Sequence, residues 1–576
     1  MKESVRQGLR LPIGCDDFGK LIDNQWFFVD KSLFIREVIQ DTAEVILITR
    51  PRRFGKTLNL SLLRYFFAEE VRGRKTAGLF DQLQIAQFPE CMSQQGQYPV
   101  ISLTFKDLKY QTYHECYQGL CQLLKQTYKL YIDLMSHKKF IPMDQQEFIA
   151  VLEGKASKIE IQFALVNLTR YLYQCYGREP IVLIDEYDTA IQAGYQYGYY
   201  KEAVELLRGI LSPALKNNEY LKKAVLTGVV RIAKEGMFSG LNNVEVYSLF
   251  HQPYSEYFGF TEAEVQGLLL QSGLGDKAGE VRHWYNGYQI GTMRVYNPWS
   301  ITHYLKYHGR CDCYWLNTSD NSLLKELLLT ASVGIKAQFQ SLFQGERIQV
   351  IITDNFIFPE LKEVEETLWA LFVMAGYLTP ISEIRNEQGL SRYTLDIPNR
   401  EIRVMYAQFI CEWLAKGKNK VWYQTFIDQL LTGNVEAFAI GMQHIILQIA
   451  SVHDLGQQPE AFYHGLMLGL ILYLEPPQYR VVSNRESGYG RYDIAIIPQD
   501  TRELGIILEL KSLAQQPRVS KATLAEAAKE AVKQIHERAY MTELTGLGFQ
   551  RICKIGLAFR GKELHIDYEI EYFDLS

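Results

Sequence analysis

Residues 44–60 read EVILITRPRRFGKTLNL, and the order of residue types in this stretch decides the fold of the first half of the chain. Glu44–Arg50 is a short apolar run, which predicts a buried strand. A basic turn follows, then TLNLSLLRYFF, whose apolar residues recur at helical spacing. Between strand and helix stands Phe54-Gly55-Lys56-Thr57. At such a junction backbone N–H groups and the helix N-terminus cradle phosphates, the lysine meets the β- and γ-phosphates, and the hydroxyl binds Mg²⁺. Gly55, Lys56 and Thr57 are therefore candidate nucleotide-binding residues. The tripeptide alone is weak, since it arises by chance in about one chain in three of this size. The first glycine of the G-x-x-x-x-G-K-[ST] pattern is also missing, because Arg50 holds that position. A residue with a Cβ must turn differently there, so the loop is a variant one.

Working outward, Ile181–Asp188 (IVLIDEYD) is a second apolar run, with acids at its carboxyl end, where open α/β sheets bind ligands. Asp185 is expected to hold Mg²⁺, and Glu186 to polarise an attacking water. A third run, Lys223–Val230, carries Thr227, with Arg231 just beyond; both stand where a polar group can sense a γ-phosphate. Arg52 and Arg53 receive no role. The amphipathic stretches His114–Tyr131 and Ile159–Tyr176 predict intervening helices. Strands alternating with helices predict a doubly wound parallel sheet, an α/β fold.

From about Asn297 to Ala450 helical periodicity dominates, as in Ser322–Thr330 and Glu363–Leu378. Beyond it, a helix (Glu460–Leu474), strands (Tyr479–Ser483, Tyr492–Ile497, Leu504–Leu510), a long helix (Lys521–Tyr540) and a late strand (Lys554–Phe559) predict a small α/β module. Within it IILELK ends a buried strand in Glu509-x-Lys511, and Asp493 opens the strand before. If those strands are neighbours, Asp493 and Glu509 converge on one hard divalent cation. Period-2 geometry sends Glu509 and Lys511 to one face. The set suits phosphodiester hydrolysis: carboxylate-held Mg²⁺ lowers the pKa of an attacking water and neutralises developing charge. Lys511 would orient or deprotonate that water, or stabilise the transition state. Glu460 is a candidate further metal ligand. Gln534 is read as orienting phosphate or water, with Tyr540 about two turns further on.

The bulk numbers bound these readings. A chain of 576 residues exceeds one ordinary core and suggests about three or four domains. With 47% apolar and 22% charged residues it has the balance of a soluble globular protein. A net charge of −5 excludes a uniformly basic nucleic-acid coat, though not a local cationic channel. The nine cysteines are irregularly spaced, and Cys311/Cys313 lacks a second pair, which argues against structural zinc and for reduced thiols. No apolar run reaches the roughly 18–20 residues of a membrane span. A cytoplasmic location without membrane contact is the expectation.

These marks together resemble a bacterial family, the AAA-ATPase-like proteins that carry a C-terminal PD-(D/E)XK nuclease domain. The resemblance spans nearly the whole chain: LPIGCDDF, FFVDKS, ITRPRRFGKT, LIDEYD, LTGVVRIAKEGMFSGLNN, WYNGYQIG, VYNPWSI, AFYHGLML, SNRESGYGRYDI, ILELK and AVKQI. It implies that the absent first glycine is a family trait. It also carries over Lys56, Thr57, Asp185 and Glu186 for the nucleotide, and Asp493, Glu509 and Lys511 for the nuclease site. The expected domains are an AAA-like P-loop ATPase over 1–296, a mostly helical lid or linker over 297–450, and a PD-(D/E)XK nuclease-like domain over 451–576. WYNGY (284–288) and YNPWS (296–300) are expected to pack between the ATPase core and its lid rather than stack on bases. The expected cofactors are ATP and Mg²⁺, with Mn²⁺ able to substitute in the nuclease site. The expected function is ATP binding and hydrolysis controlling cleavage of nucleic acid, DNA by analogy of fold, with homo-oligomerisation open. The competing expectation is an ATP-driven regulatory switch whose nuclease-like fold docks nucleic acid or protein.

Overall fold

The computed structural model describes residues 10–232, 243–315, 327, 332–352, 358–362, 364–387, 390–406, 420–449, 463, 467, 474, 478–487, 490–513, 521–537 and 540–573. The chain divides into two compact units, one of Met1–Leu327 with Gln349–Glu401, the other of Leu328–Ile348 with Ile402–Ser576.

The first unit is built on strand β1 (Val45–Thr49), all five of whose residues are buried, as a central strand covered on both faces requires. Helix α1 (Lys56–Phe67) follows directly. Next come β2 (Val100–Thr104), α2 (Tyr113–Lys129), α3 (Pro142–Glu153) and α4 (Lys158–Tyr176). The remaining core elements are β3 (Ile181–Asp185), α5 (Thr189–Tyr197), α6 (Tyr200–Leu215), β4 (Lys223–Gly228) and β5 (Val244–Tyr247). The sheet order is β5-β1-β4-β3-β2, and every neighbouring pair is parallel. Because β4 lies between β1 and β3, the carboxyl ends of these three strands meet at one edge of the sheet. Phe18, Ile46, Ile48, Leu62, Phe66, Leu183 and Val225 form the core on one face. The same unit carries the hairpin β6 (Asn286–Ile290) and β7 (Met293–Tyr296), then α7 (Pro298–Lys306). Buried Asn297 caps α7 by accepting from Trp299 N and Ser300 N.

The middle of the chain holds helices, among them α8 (Glu365–Met374), as its periodicity predicts. It also holds an antiparallel pair, β8 (Thr379–Arg385) and β9 (Ser391–Asp396), which helical periodicity did not anticipate. The expected helix Ser322–Thr330 falls almost wholly outside the described residues, and so does Glu460–Leu474.

The second unit is a five-stranded mixed sheet: β10 (Tyr479–Ser487), β11 (Gly490–Pro498), β12 (Gly505–Ser512), β13 (Arg551–Arg560) and β14 (Glu563–Tyr572), in that spatial order. All neighbours are antiparallel except β12 and β13, which are parallel and joined through helix α10 (Lys521–Glu537). One sheet face (Ile494, Ile506, Leu508, Ile555, Leu557) packs on Phe438, Met442 and Ile446 of helix α9 (Val435–Ile449). The other (Ala495, Ile507, Ile552) packs on Ile535 of α10 and on Tyr540. Among the described residues, no helix is long and apolar enough to cross a membrane.

Candidate active sites

Gly55 takes a φ of +83°, a left-handed conformation that suits glycine, and caps α1. Lys56 is buried, and its ammonium donates to the carbonyls of Arg50 (2.9 Å) and Pro51 (2.8 Å), closing the loop on itself. Burial lowers its pKa, against the raising effect of Asp185, Glu186 and Asp188. Thr57 Oγ1 donates to Asp185 Oδ2 (2.6 Å), and Thr227 Oγ1 donates to Asp185 Oδ1 (2.5 Å). The ends of α1, β3 and β4 thus share one buried carboxylate, as the strand order requires. Glu186, at φ +51°, stands at the turn after β3, where its charge acts on Arg53 and Lys56. Arg231 is half-buried, and its charge acts on the Tyr187 hydroxyl. Among the described residues no hydrogen bond or ion pair ties Arg231 to the Asp185 cluster.

Sequence reasoning passed over Asp188, the last acid of IVLIDEYD. It is buried, accepts from Val229 N (2.8 Å) and Val230 N (2.9 Å), and is pushed up in pKa by its burial. Its signal was a third acid on the same strand end. The flanks of the loop are aromatic. Phe54 meets Tyr288 edge to face at 5.0 Å, worth about 0.5–1.5 kcal/mol beyond area burial. The Arg53 guanidinium lies 4.2 Å from the Trp299 ring centre, and the Trp315 indole N–H donates to Arg52 O at 3.3 Å. Tyr288 of WYNGY and Trp299 of YNPWS therefore pack on the loop itself.

In the second unit Ile494 pairs with Leu508, so one step further along the antiparallel ladder Asp493 stands across from Glu509. Asp493 Oδ2 accepts from Leu510 N at 2.7 Å. Glu509 is only 3% exposed, and its Oε2 has no hydrogen-bond partner. Burial, and then the neighbouring Asp493 charge, push Glu509 up to about 7, while Lys511 pulls the other way. Lys511 Nζ lies 3.4 Å from Glu509 Oε1 and donates to Gln534 Oε1 at 2.6 Å. Gln534 Nε2 in turn donates to Glu509 Oε1, with the Tyr540 hydroxyl 3.4 Å away. Asp493, Glu509, Lys511, Gln534 and Tyr540 thus come together, and Glu460 lies outside the described residues.

An orphaned carboxylate oxygen in a buried site is costly unless something satisfies it. Two facing carboxylates with a spare oxygen fit a hard divalent cation that keeps part of its water shell. Among the described residues no group of three or more acidic, histidine or cysteine side chains is placed to hold a metal ion; Asp493 and Glu509 are the candidate donors that the described residues bring together. In the first unit, Thr57 and Asp185, hydrogen-bonded to each other, are the candidate oxygen donors.

Comparison with known proteins agrees with this division. Residues 12–238 match the family described as Predicted AAA-ATPase, and residues 458–569 match the PD-(D/E)XK nuclease superfamily. An uncharacterized protein from the vnfD 5' region of Azotobacter chroococcum mcd 1 is 27% identical over 398 residues, 68% of each chain. No solved structure matches the chain.

Proposed function

Because this chain joins an AAA-ATPase-like domain to a PD-(D/E)XK nuclease superfamily domain, we propose that it is an ATP-binding, metal-dependent phosphodiesterase whose cleavage of DNA is controlled by the nucleotide. The observation that carries the reading is the unpartnered Glu509 Oε2, buried opposite Asp493 and beside Lys511. Asp493 and Glu509 would hold Mg²⁺ or Mn²⁺, which when bound supplies an acidified water and neutralises charge on phosphate. Lys511 stabilises the negative charge that grows on the phosphate, and Gln534 fixes the Lys511 ammonium beside Glu509. In the nucleotide site Lys56 takes the β- and γ-phosphates, Thr57 and Asp185 take Mg²⁺, and Glu186 orients the water for hydrolysis. Thr227 reads the state of Asp185 from the neighbouring strand.

The experiment is nuclease activity on linear, circular, single-stranded and branched DNA and on RNA, with Mg²⁺ or Mn²⁺, with and without ATP. The wild type is expected to cut DNA. Asp493→Ala should lose at least 10²-fold in rate while still binding ATP. Failure of folded, ATP-binding wild type to cut any of these substrates would overturn the nuclease half and leave the regulatory switch.

A further inference from the structure

We infer that Arg50, which stands where the first P-loop glycine is missing, is the positioning residue of the nucleotide loop. The inference rests on the nucleotide reading above. A glycine at that place serves by its freedom of backbone conformation. Arg50 serves by anchorage. It is fully buried, and its Nη1 donates to Thr49 O (2.9 Å) and Tyr247 O (2.8 Å). Nη2 reaches Pro253 O at 3.5 Å, and the guanidinium sits over the Phe258 ring at 5.2 Å. The main chain of the same residue is fastened too: its N–H donates to Gly228 O at 3.0 Å, and its carbonyl accepts from Lys56 Nζ. One residue thereby joins the end of β4, the end of β5, the turn beyond β5 and the phosphate-binding lysine.

Burying a guanidinium is costly, and here its two Nη atoms are met by carbonyl oxygens while Nε has no partner; no ion pair to Arg50 occurs among the described residues. Burial draws its pKa down to about 9, against the opposing charge of Glu37, so it stays cationic at neutral pH. The planar fork spans carbonyls contributed by three separate segments. A lysine carries all its donors on one nitrogen, so it would have to draw the three carbonyls to a single point. Freed from this anchor, the start of the loop would no longer present the Arg50 and Pro51 carbonyls that now fix Lys56.

The test measures dissociation constants for ATP and ADP with Mg²⁺, together with thermal unfolding, on the full chain. The variants are Lys56→Ala, Arg50→Lys, Arg50→Gly and Tyr254→Phe. Tyr254→Phe removes a buried hydroxyl that donates to Asp41 at 2.8 Å and leaves the guanidinium partners in place, so it serves as the control for simple loss of stability. Arg50→Lys is expected to fold and to weaken ATP binding at least 10-fold. Arg50→Gly, which restores the glycine of the motif, is expected to bind no better than Arg50→Lys. Tyr254→Phe should lower the unfolding temperature and leave affinity unchanged. Wild-type affinity in both Arg50→Lys and Arg50→Gly overturns the inference. So does an affinity loss that merely tracks unfolding temperature across Arg50→Lys and Tyr254→Phe. Wild type that binds no ATP, indistinguishable from Lys56→Ala, overturns the nucleotide reading itself and the inference with it.

Discussion

Glu401 is a carboxyl group enclosed beside the nucleotide loop. Its Oε1 accepts from Trp315 N (2.8 Å) and its Oε2 from Ser300 Oγ (2.7 Å), while the Trp315 indole reaches the loop at Arg52 O. Burial pushes its pKa from the ordinary 4.5 up to about 7, against the lowering effect of those donors. The folded chain therefore holds this proton more tightly than the unfolded chain does. The resulting stability is complete below about pH 4.5 and is lost as pH rises through about 7. Glu401→Gln, which mimics the neutral acid, should match wild type near pH 4.5 and exceed it by about 1–3 kcal/mol at pH 8. Denaturant unfolding of both proteins across this range checks it, and a pH-independent difference would contradict the burial argument. Lys56, Thr57, Asp185, Glu509 and Lys511 were legible in the sequence because each stands at a strand end or helix start marked by its own apolar run. The contacts of Arg50 and Glu401 were not, because their partners are remote. Tyr247 is 197 positions from Arg50, and Ser300 is 101 positions from Glu401.

At the scale of elements, the candidate nuclease site depends on how closely α10 approaches the sheet. Gly556 of β13 pairs with Glu509, and a Cβ there would lie 2.2 Å from Ala528 O of α10. The helix can thus lie near enough for Gln534 to reach both Glu509 and Lys511. Gly556→Ala would force the helix outward, costing about 1–3 kcal/mol of overpacking. Cleavage should fall further than that stability loss explains, because Gln534 moves with the helix. Thermal unfolding and nuclease rate on one preparation check this, and full activity at reduced stability would show that Gln534 has no part in the site. The central strands β1, β3, β4 and β12 announced themselves as apolar runs, since a strand covered on both faces needs nothing else. Strands β8, β9 and β14 did not. Each is partly exposed and mixes charged with apolar residues, so a search for continuous apolar runs passes over them.

For the whole molecule, each compact unit carries one of the two candidate sites. If the nucleotide governs cleavage, Lys56→Ala should abolish any response of DNA cleavage to ATP and leave the metal requirement unchanged. Asp493→Ala should do the reverse, retaining ATP affinity within about twofold of wild type and losing cleavage. Cleavage that responds to ATP equally in wild type and Lys56→Ala would separate the two activities. β14 forms an edge of its sheet, ten residues long, and an uncovered strand of that length is a template on which other chains can add by backbone pairing. Here the strand carries Glu563, Asp567, Glu569 and Glu571. Arg560 holds Glu563, and Lys554 holds Glu569 and Glu571, so a second molecule adding along this border would have to strip water from a row of charged side chains, and the sheet opposes its own growth into fibrils.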